Sequence, residues 1–428
     1  MAKKSSLKPI KKVRSAYGVD EYQLSNGLRV LYKKDSGAPV VAVCITFHVG
    51  SRNESAGVTG STHILEHLLF KDSEKFKKEN GNSITDYLEW FGALMNATTW
   101  LDRTNYFEMV PKERLAEALE MEADRLRGSL FNDADLASEM TVVRNEFERS
   151  RNNPFELLDE EVQYKMFEKH PYRIPTIGLK EDIEGSTAAK LRTFYDTFYW
   201  PNNATLSVFG DVSWKDVEKE VVKYFGPIPK APHTIPQLKV KEPAQTKPRS
   251  VHVKKAMGVS IAELAYKVPE GRHKDFPAVY LLTAILAGGF ASRLQHSLVD
   301  SGLASDVSTM CFPLYDPGFA SFTAQCVPNV APKITLNAMR KEISQVVAKG
   351  INKDELMRAK ERVLSDAANE RDGVFTEIRV TSEATAGGDW TLAYKFPKDV
   401  AKVTVADIQR VAKKYFNPNQ ETSGILEP

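Results

Sequence analysis

Cysteine is scarce in this chain of 428 residues, with only Cys44, Cys311 and Cys326 present. An odd number without a CxxC spacing argues against a disulfide framework and offers no cysteine metal site. Cys44 lies within the apolar run 40–49, where a small buried hydrophobe is expected. No stretch approaches 18 consecutive apolar residues, so no membrane span is expected. Net charge is small as well, +2 from 58 basic and 56 acidic side chains. Six of the bases (Lys3, Lys4, Lys8, Lys11, Lys12 and Arg14) crowd into the first fourteen positions, which leaves 52 against 56 for the body. A nucleic-acid protein carries its cations on a folded face, so no nucleic-acid partner is expected. Residues 1–20 read as a flexible basic leader, and no apolar segment follows to make it a signal peptide. Gly288-Gly289 lacks the Lys-Ser/Thr that a phosphate loop needs.

What is present is enough for two or three domains: 42% hydrophobic and 27% charged residues in 47.9 kDa. Prolines 227, 229, 232, 236, 243 and 248 mark a break. The expected division is a first α+β domain over 21–230, a proline-rich linker over 231–250 and a second domain over 251–428. TAAKLRTFYDTFYWPNNAT, from Thr187, matches TVADIQRVAKKYFNPNQET, from Thr404, at a shift of 217 positions. The same shift carries the apolar strand at Val41 onto GVSIAELAYKV at Gly258. A duplicated α+β unit accounts for length, break and composition together.

Within the first repeat, strands over 28–32 and 40–49 precede a Gly/Ser/Asn-rich loop over 50–60, and a helix capped by Ser61 or Thr62 follows. That helix carries His63-Ile-Leu-Glu66-His67. Residues three and four apart share a helix face, so two imidazoles and a carboxylate line up there. The order His-x-x-Glu-His is the inverzincin signature. Zinc needs a third protein ligand and, for catalysis, a fourth position left open. Glu139 and Glu146, two turns apart on a later helix, are candidates. Glutamates of a charged helix also commonly face solvent, and spacing supports both readings. Strands over 94–99 and 104–109 flank a turn at Asp102-Arg103. The 217-residue shift sets Tyr280, Thr283, Ala284 and Val363 against His63, Glu66, His67 and Glu146, so the second repeat keeps the helices and lacks the cluster.

HILEH, the Glu139-to-Glu146 element, FGALMNATTWLDRTNYF and HPYRIPTIG together resemble the pitrilysin-type zinc metallopeptidases. The closest likeness is to the small-subunit branch that holds mitochondrial processing peptidase and its bacterial relatives. The resemblance runs from about Leu28 to Thr422. It implies two homologous α/β-sandwich-like domains forming half of a clam-shell chamber, one zinc ion per chain on His63, His67 and Glu146, Glu66 as general base, and Glu139 supporting the site. It further implies that the edge strand at Asn96, Ala97 and Thr98 holds extended peptide backbone. His170 is expected to pack rather than bind metal.

The second domain departs from the family pattern. Val299 stands where an arginine is usual and Ser305 where a tyrosine is usual, and both usual side chains bind substrate. The expectation is therefore a zinc endopeptidase that works as the metal-bearing subunit of a heterodimer, with a homologous partner supplying the arginine and tyrosine. A homodimeric peptidase and a non-enzymatic peptide-binding or assembly subunit are the alternatives. The expected setting is the periplasm or cytoplasm of a bacterium.

Overall fold

The computed structural model describes residues 10–428, which gather into two compact units. The first unit holds the chain up to Arg144 together with Pro175–Lys239 and Glu370–Thr391, and the second holds Asn145–Ile174, Val240–Asn369 and Leu392–Pro428.

In the first unit the strands are β1 (Lys11–Ala16), β2 (Val19–Gln23), β3 (Arg29–Lys34), β4 (Val40–Phe47), β5 (Leu94–Thr99), β6 (Thr104–Pro111) and β7 (Ala204–Gly210). They form one sheet in the order β1-β2-β3-β7-β4-β6-β5. Only β3 and β7 run parallel. β4 reads VVAVCITF and is almost wholly buried, as a strand must be when helices cover both faces. Cys44 and its cross-strand partner Phe107 meet Ser382 and Phe375 of the helix Val374–Ala386. Glu108, next along β6, meets Glu122 of the helix Leu115–Gly128. Successive side chains point to opposite faces, so these two helices cover opposite sides of the sheet.

In the second unit the strands are β8 (Arg249–Lys254), β9 (Ile261–Lys267), β10 (Ala304–Cys311), β11 (Phe319–Cys326) and β12 (Glu421–Glu427), in the order β10-β11-β9-β12-β8. Only β8 and β12 run parallel. Strand for strand this repeats β5-β6-β4-β7-β3, including the single parallel pair. β12 starts and ends 217 positions after β7, and the helix Val405–Tyr415 follows Ala188–Phe198 by the same shift. The duplication is therefore one of topology.

Two expectations need correction. The units are not cut once at the linker: the helix Pro154–Met166 packs on β8, β9 and β12 of the second unit, and Val374–Ala386 packs on β4 and β7 of the first. Each half of the chain gives a helix to the other half's sheet. Both central strands are buried on two faces, β9 with Glu263 among its apolar residues, and periodicity could not say which sheet a helix serves. Residues 11–20 are also not a flexible leader. β1 pairs with β2, Lys12 bridges to Asp20 at 2.9 Å, and Arg14 bonds Glu21 and lies 4.9 Å from the Trp390 ring. Cations that looked solvated along the sequence meet carboxylates across a strand pair. The leader's residues 1–9 lie outside the described residues. Between the units' sheets in sequence, 226–248 holds no helix or strand, and Ala231, Ile235 and Gln245 along it are buried.

Candidate metal centre

The histidine helix is Ser61–Leu68, and Ile64, Leu65 and Leu68 form its buried side. His63, Glu66 and His67 are left half-buried. Neither Ser61 nor Thr62 caps it. Gly60 does, in the left-handed region at φ 82°, where a Cβ would come within 2.5 Å of the Ile177 carbonyl oxygen. The first-turn donors go instead to Glu54, whose Oε2 accepts from Gly60 N–H at 2.8 Å and whose Oε1 accepts from Thr62 N–H at 2.7 Å and Thr62 Oγ1 at 2.6 Å. Burial pushes the Glu54 carboxyl up to about 7 against those donors. From below, Tyr106 donates to the Leu65 carbonyl at 3.4 Å. The buried Arg125 guanidinium lies 4.5 Å from the Tyr106 ring and 4.8 Å from Phe70.

His63 Nε2 and His67 Nε2 face each other at 3.4 Å. One ligand atom from each of His63, His67 and Glu146 lies within 4.8 Å of the others, the only such trio of metal-binding groups among the described residues. Two nitrogens bound tetrahedrally at zinc distances would stand about 3.3 Å apart, so the imidazole pair fits that ion. Burial, followed by the neighbouring His67, holds His63 down to about 4 and therefore neutral, as a nitrogen ligand must be.

Glu139 and Glu146 lie on one continuous helix, Asp133–Arg151. Glu139 Oε2 meets His67 Nδ1 at 3.0 Å, and its Oε1 meets Lys71 Nζ at 2.5 Å. Burial raises this carboxyl, but Lys71 and His67 outweigh burial and leave it below its ordinary value. A carboxylate on Nδ1 fixes the tautomer that turns Nε2 toward a metal. Sequence reasoning missed Lys71 and Glu54. Lys71 lies three residues past the end of the histidine helix and Glu54 before its start, so helical phase links neither to the site.

In the second unit the 217-residue shift puts Leu356 opposite Glu139 and Val363 opposite Glu146. Leu356 and Val363 are buried in an apolar core. The supporting carboxylate is thus absent along with the carboxylate ligand.

β5 is an edge strand whose one neighbour is β6, and the histidine helix packs against it. Asn96 is exposed and its Oδ1 accepts the Ala97 N–H at 2.8 Å. Ala97 is buried. Thr98 is half-buried, and its carbonyl accepts from Arg103 at 2.7 Å. Val299 ends a short π-helical turn, Gln295–Val299, and the exposed Ser305 donates to the Gln325 carbonyl at 3.3 Å. Neither offers a cation or a phenol. His170 is buried, facing Asp316 at 3.1 Å through Nε2 and accepting the Tyr172 N–H through Nδ1.

Residues 29–180 match the family model described as Insulinase (Peptidase family M16), and residues 186–363 match the Peptidase M16 inactive domain. The second match covers most of the half that lacks the cluster. A protein named zinc protease PqqE from Helicobacter pylori is 30% identical over 421 residues, covering 95% of this chain and 92% of its own length. A protease crystal structure from the same species superposes with a TM-score of 0.91 at 28% identity, covering 96% of this chain and 99% of that one. An Arabidopsis thaliana chain named probable mitochondrial-processing peptidase subunit beta is 27% identical over 52% of this chain and 41% of its own length. With its duplicated mixed α/β topology, this chain belongs to peptidase family M16, among relatives that are named zinc proteases.

Proposed function

We propose that the chain is a zinc-dependent endopeptidase. The observation that carries the reading is the convergence of His63, His67 and Glu146 with Glu66 on the same helix. His63, His67 and Glu146 would hold one zinc ion per chain. Bound there, zinc supplies polarisation of a carbonyl and a more acidic water. Glu66 takes the proton from the attacking water and delivers it to the leaving amine. Glu139 holds His67 in register. β5 offers backbone at Asn96, Ala97 and Thr98 for an added peptide strand, a mode that reads backbone more than side chains. In this reading the Asn96 side chain gives up the Ala97 N–H when substrate arrives.

Val299 and Ser305 support a heterodimer in which a homologous subunit completes the peptide site and the other half of a clam-shell chamber. A homodimer and a non-enzymatic peptide-binding subunit are the competing readings. No helix among the described residues is long and apolar enough to cross a membrane, and the reading places the protein in a bacterial periplasm or cytoplasm.

The test is hydrolysis of a quenched fluorescent peptide by the zinc-loaded chain, with and without a homologous subunit carrying the arginine and tyrosine. Activity that needs both chains supports the heterodimer. Full activity from this chain alone moves the reading to a homodimer. Peptide binding without turnover under both conditions, with zinc bound, removes the peptidase.

A further inference from the structure

A second concave site lies wholly within the second unit. Its volume is about 710 Å³, and its lining includes Tyr164, Lys165, Arg173, Lys247 and Arg249. Four cations thus face one cleft in a chain whose net charge is only +2. The one acid in the lining, Glu168, is paired with Arg249. Arg249 also donates to the Lys165 and Met166 carbonyls, at 3.2 and 2.5 Å, and so closes the end of the helix Pro154–Met166. Arg173 stacks 4.1 Å from the Tyr164 ring and donates Nη1 to the Glu168 carbonyl at 2.9 Å, while its buried Nε has no partner. Lys165 and Lys247 are exposed and make no ion pair among the described residues.

We infer that this cleft binds a small ligand bearing two or more phosphate or carboxylate groups. Folding engages both terminal nitrogens of Arg249 and, among the described residues, gives no acceptor to the two lysines or to Arg173 Nε. Cations held close together repel one another, and a multivalent anion relieves that repulsion while gaining charge-assisted hydrogen bonds. The cleft's volume lies in the range of small-ligand sites. Guanidinium and ammonium groups side by side suit oxyanions, which are read by fork and by point charge respectively.

Calorimetry on the zinc-loaded full chain tests this with fructose 1,6-bisphosphate for phosphates and glutarate for carboxylates, both weak zinc chelators. A submillimolar dissociation constant is expected for at least one probe, weakened about tenfold in the Lys165→Gln/Lys247→Gln variant and several-fold between 50 and 200 mM salt. Binding of the bisphosphate alone assigns phosphate, and binding of glutarate assigns carboxylate. No heat from either probe up to about 10 mM, where a charge-assisted site of this kind would be filled, overturns the inference. So does binding that the double variant leaves unchanged. Both lysines are exposed, so an unaltered melting temperature shows that the variant is folded.

Discussion

The two units share a strand order and a single parallel pair, yet they differ wherever chemistry is concerned. In the first, the helix after the second core strand carries His63, Glu66 and His67. In the second, its counterpart Phe276–Ala287 is apolar and deeply buried. The supporting position differs in the same direction, Glu139 against the buried Leu356. A fold that accepts either set shows that the scaffold does not require the polar cluster.

The exchanged helices make a second contrast. Cys44 pairs across the sheet with Ser207, and Glu263 pairs with Gly424; these are equivalent sites, since 424 is 207 shifted by 217. Against the incoming helix, Cys44 Sγ accepts from Ser382 at 3.2 Å, a neutral contact with the thiol pushed up to about 12 by burial. Glu263, fully buried, instead faces the half-buried Asp159. Burial and their mutual repulsion raise Glu263 far above the ordinary carboxyl range, and burial lifts Asp159 to about 6. Against its exchanged helix the first unit sets a thiol beside a hydroxyl, and the second sets two facing acids.

Four experiments can break or sharpen these contrasts. Glu66→Gln should cost about 10³-fold or more in kcat, the scale of general acid–base loss, while zinc content stays at one per chain. Undiminished turnover would take the chemistry away from the first unit. Glu146→Gln should strip the ion, with zinc per chain by metal analysis falling toward zero; retention at full stoichiometry would remove Glu146 from the ligand set. Lys71→Met should weaken zinc binding about 10- to 100-fold in a chelator competition, the usual penalty for losing outer support of a histidine ligand, and Lys71→Arg should recover part of it. An unchanged affinity would reduce Lys71 to a surface ion pair.

The smallest effect concerns Glu263. Its folded pKa lies above the unfolded value, so the folded state binds its proton more tightly. Stability is then highest below about pH 4 as far as this pair is concerned, and falls as pH rises through the raised carboxyl pKa values. Glu263→Gln should flatten that fall and raise the melting temperature at pH 8 by about 2–4 °C. A variant whose melting curve tracks the parent from pH 5 to 9 would show that the pair is relieved in some other way.

Much of this was legible in one dimension. The repeat could be read because a 217-residue shift preserved turn residues such as Pro201 and Pro418, which punctuate the chain for local reasons. His63, Glu66, His67, Glu139 and Glu146 could be named because helical phase is a local property. Which helix would serve which sheet could not be read, since an apolar strand face accepts any matching helix. Glu54 was invisible for a related reason: a cap supplied from six residues before Gly60, across a loop, depends on where that loop returns.

By itself, then, the sequence determined the duplication, the strands and helix leading into the candidate site and the helical faces on which candidate ligands lie, all consequences of short-range periodicity. Tertiary structure alone decided that the Glu146 helix reaches the two imidazoles, that Glu139 and Lys71 line up behind His67, and that the units trade a helix. Those are encounters between segments far apart in the chain, set by how buried faces close against one another, and no local pattern encodes them.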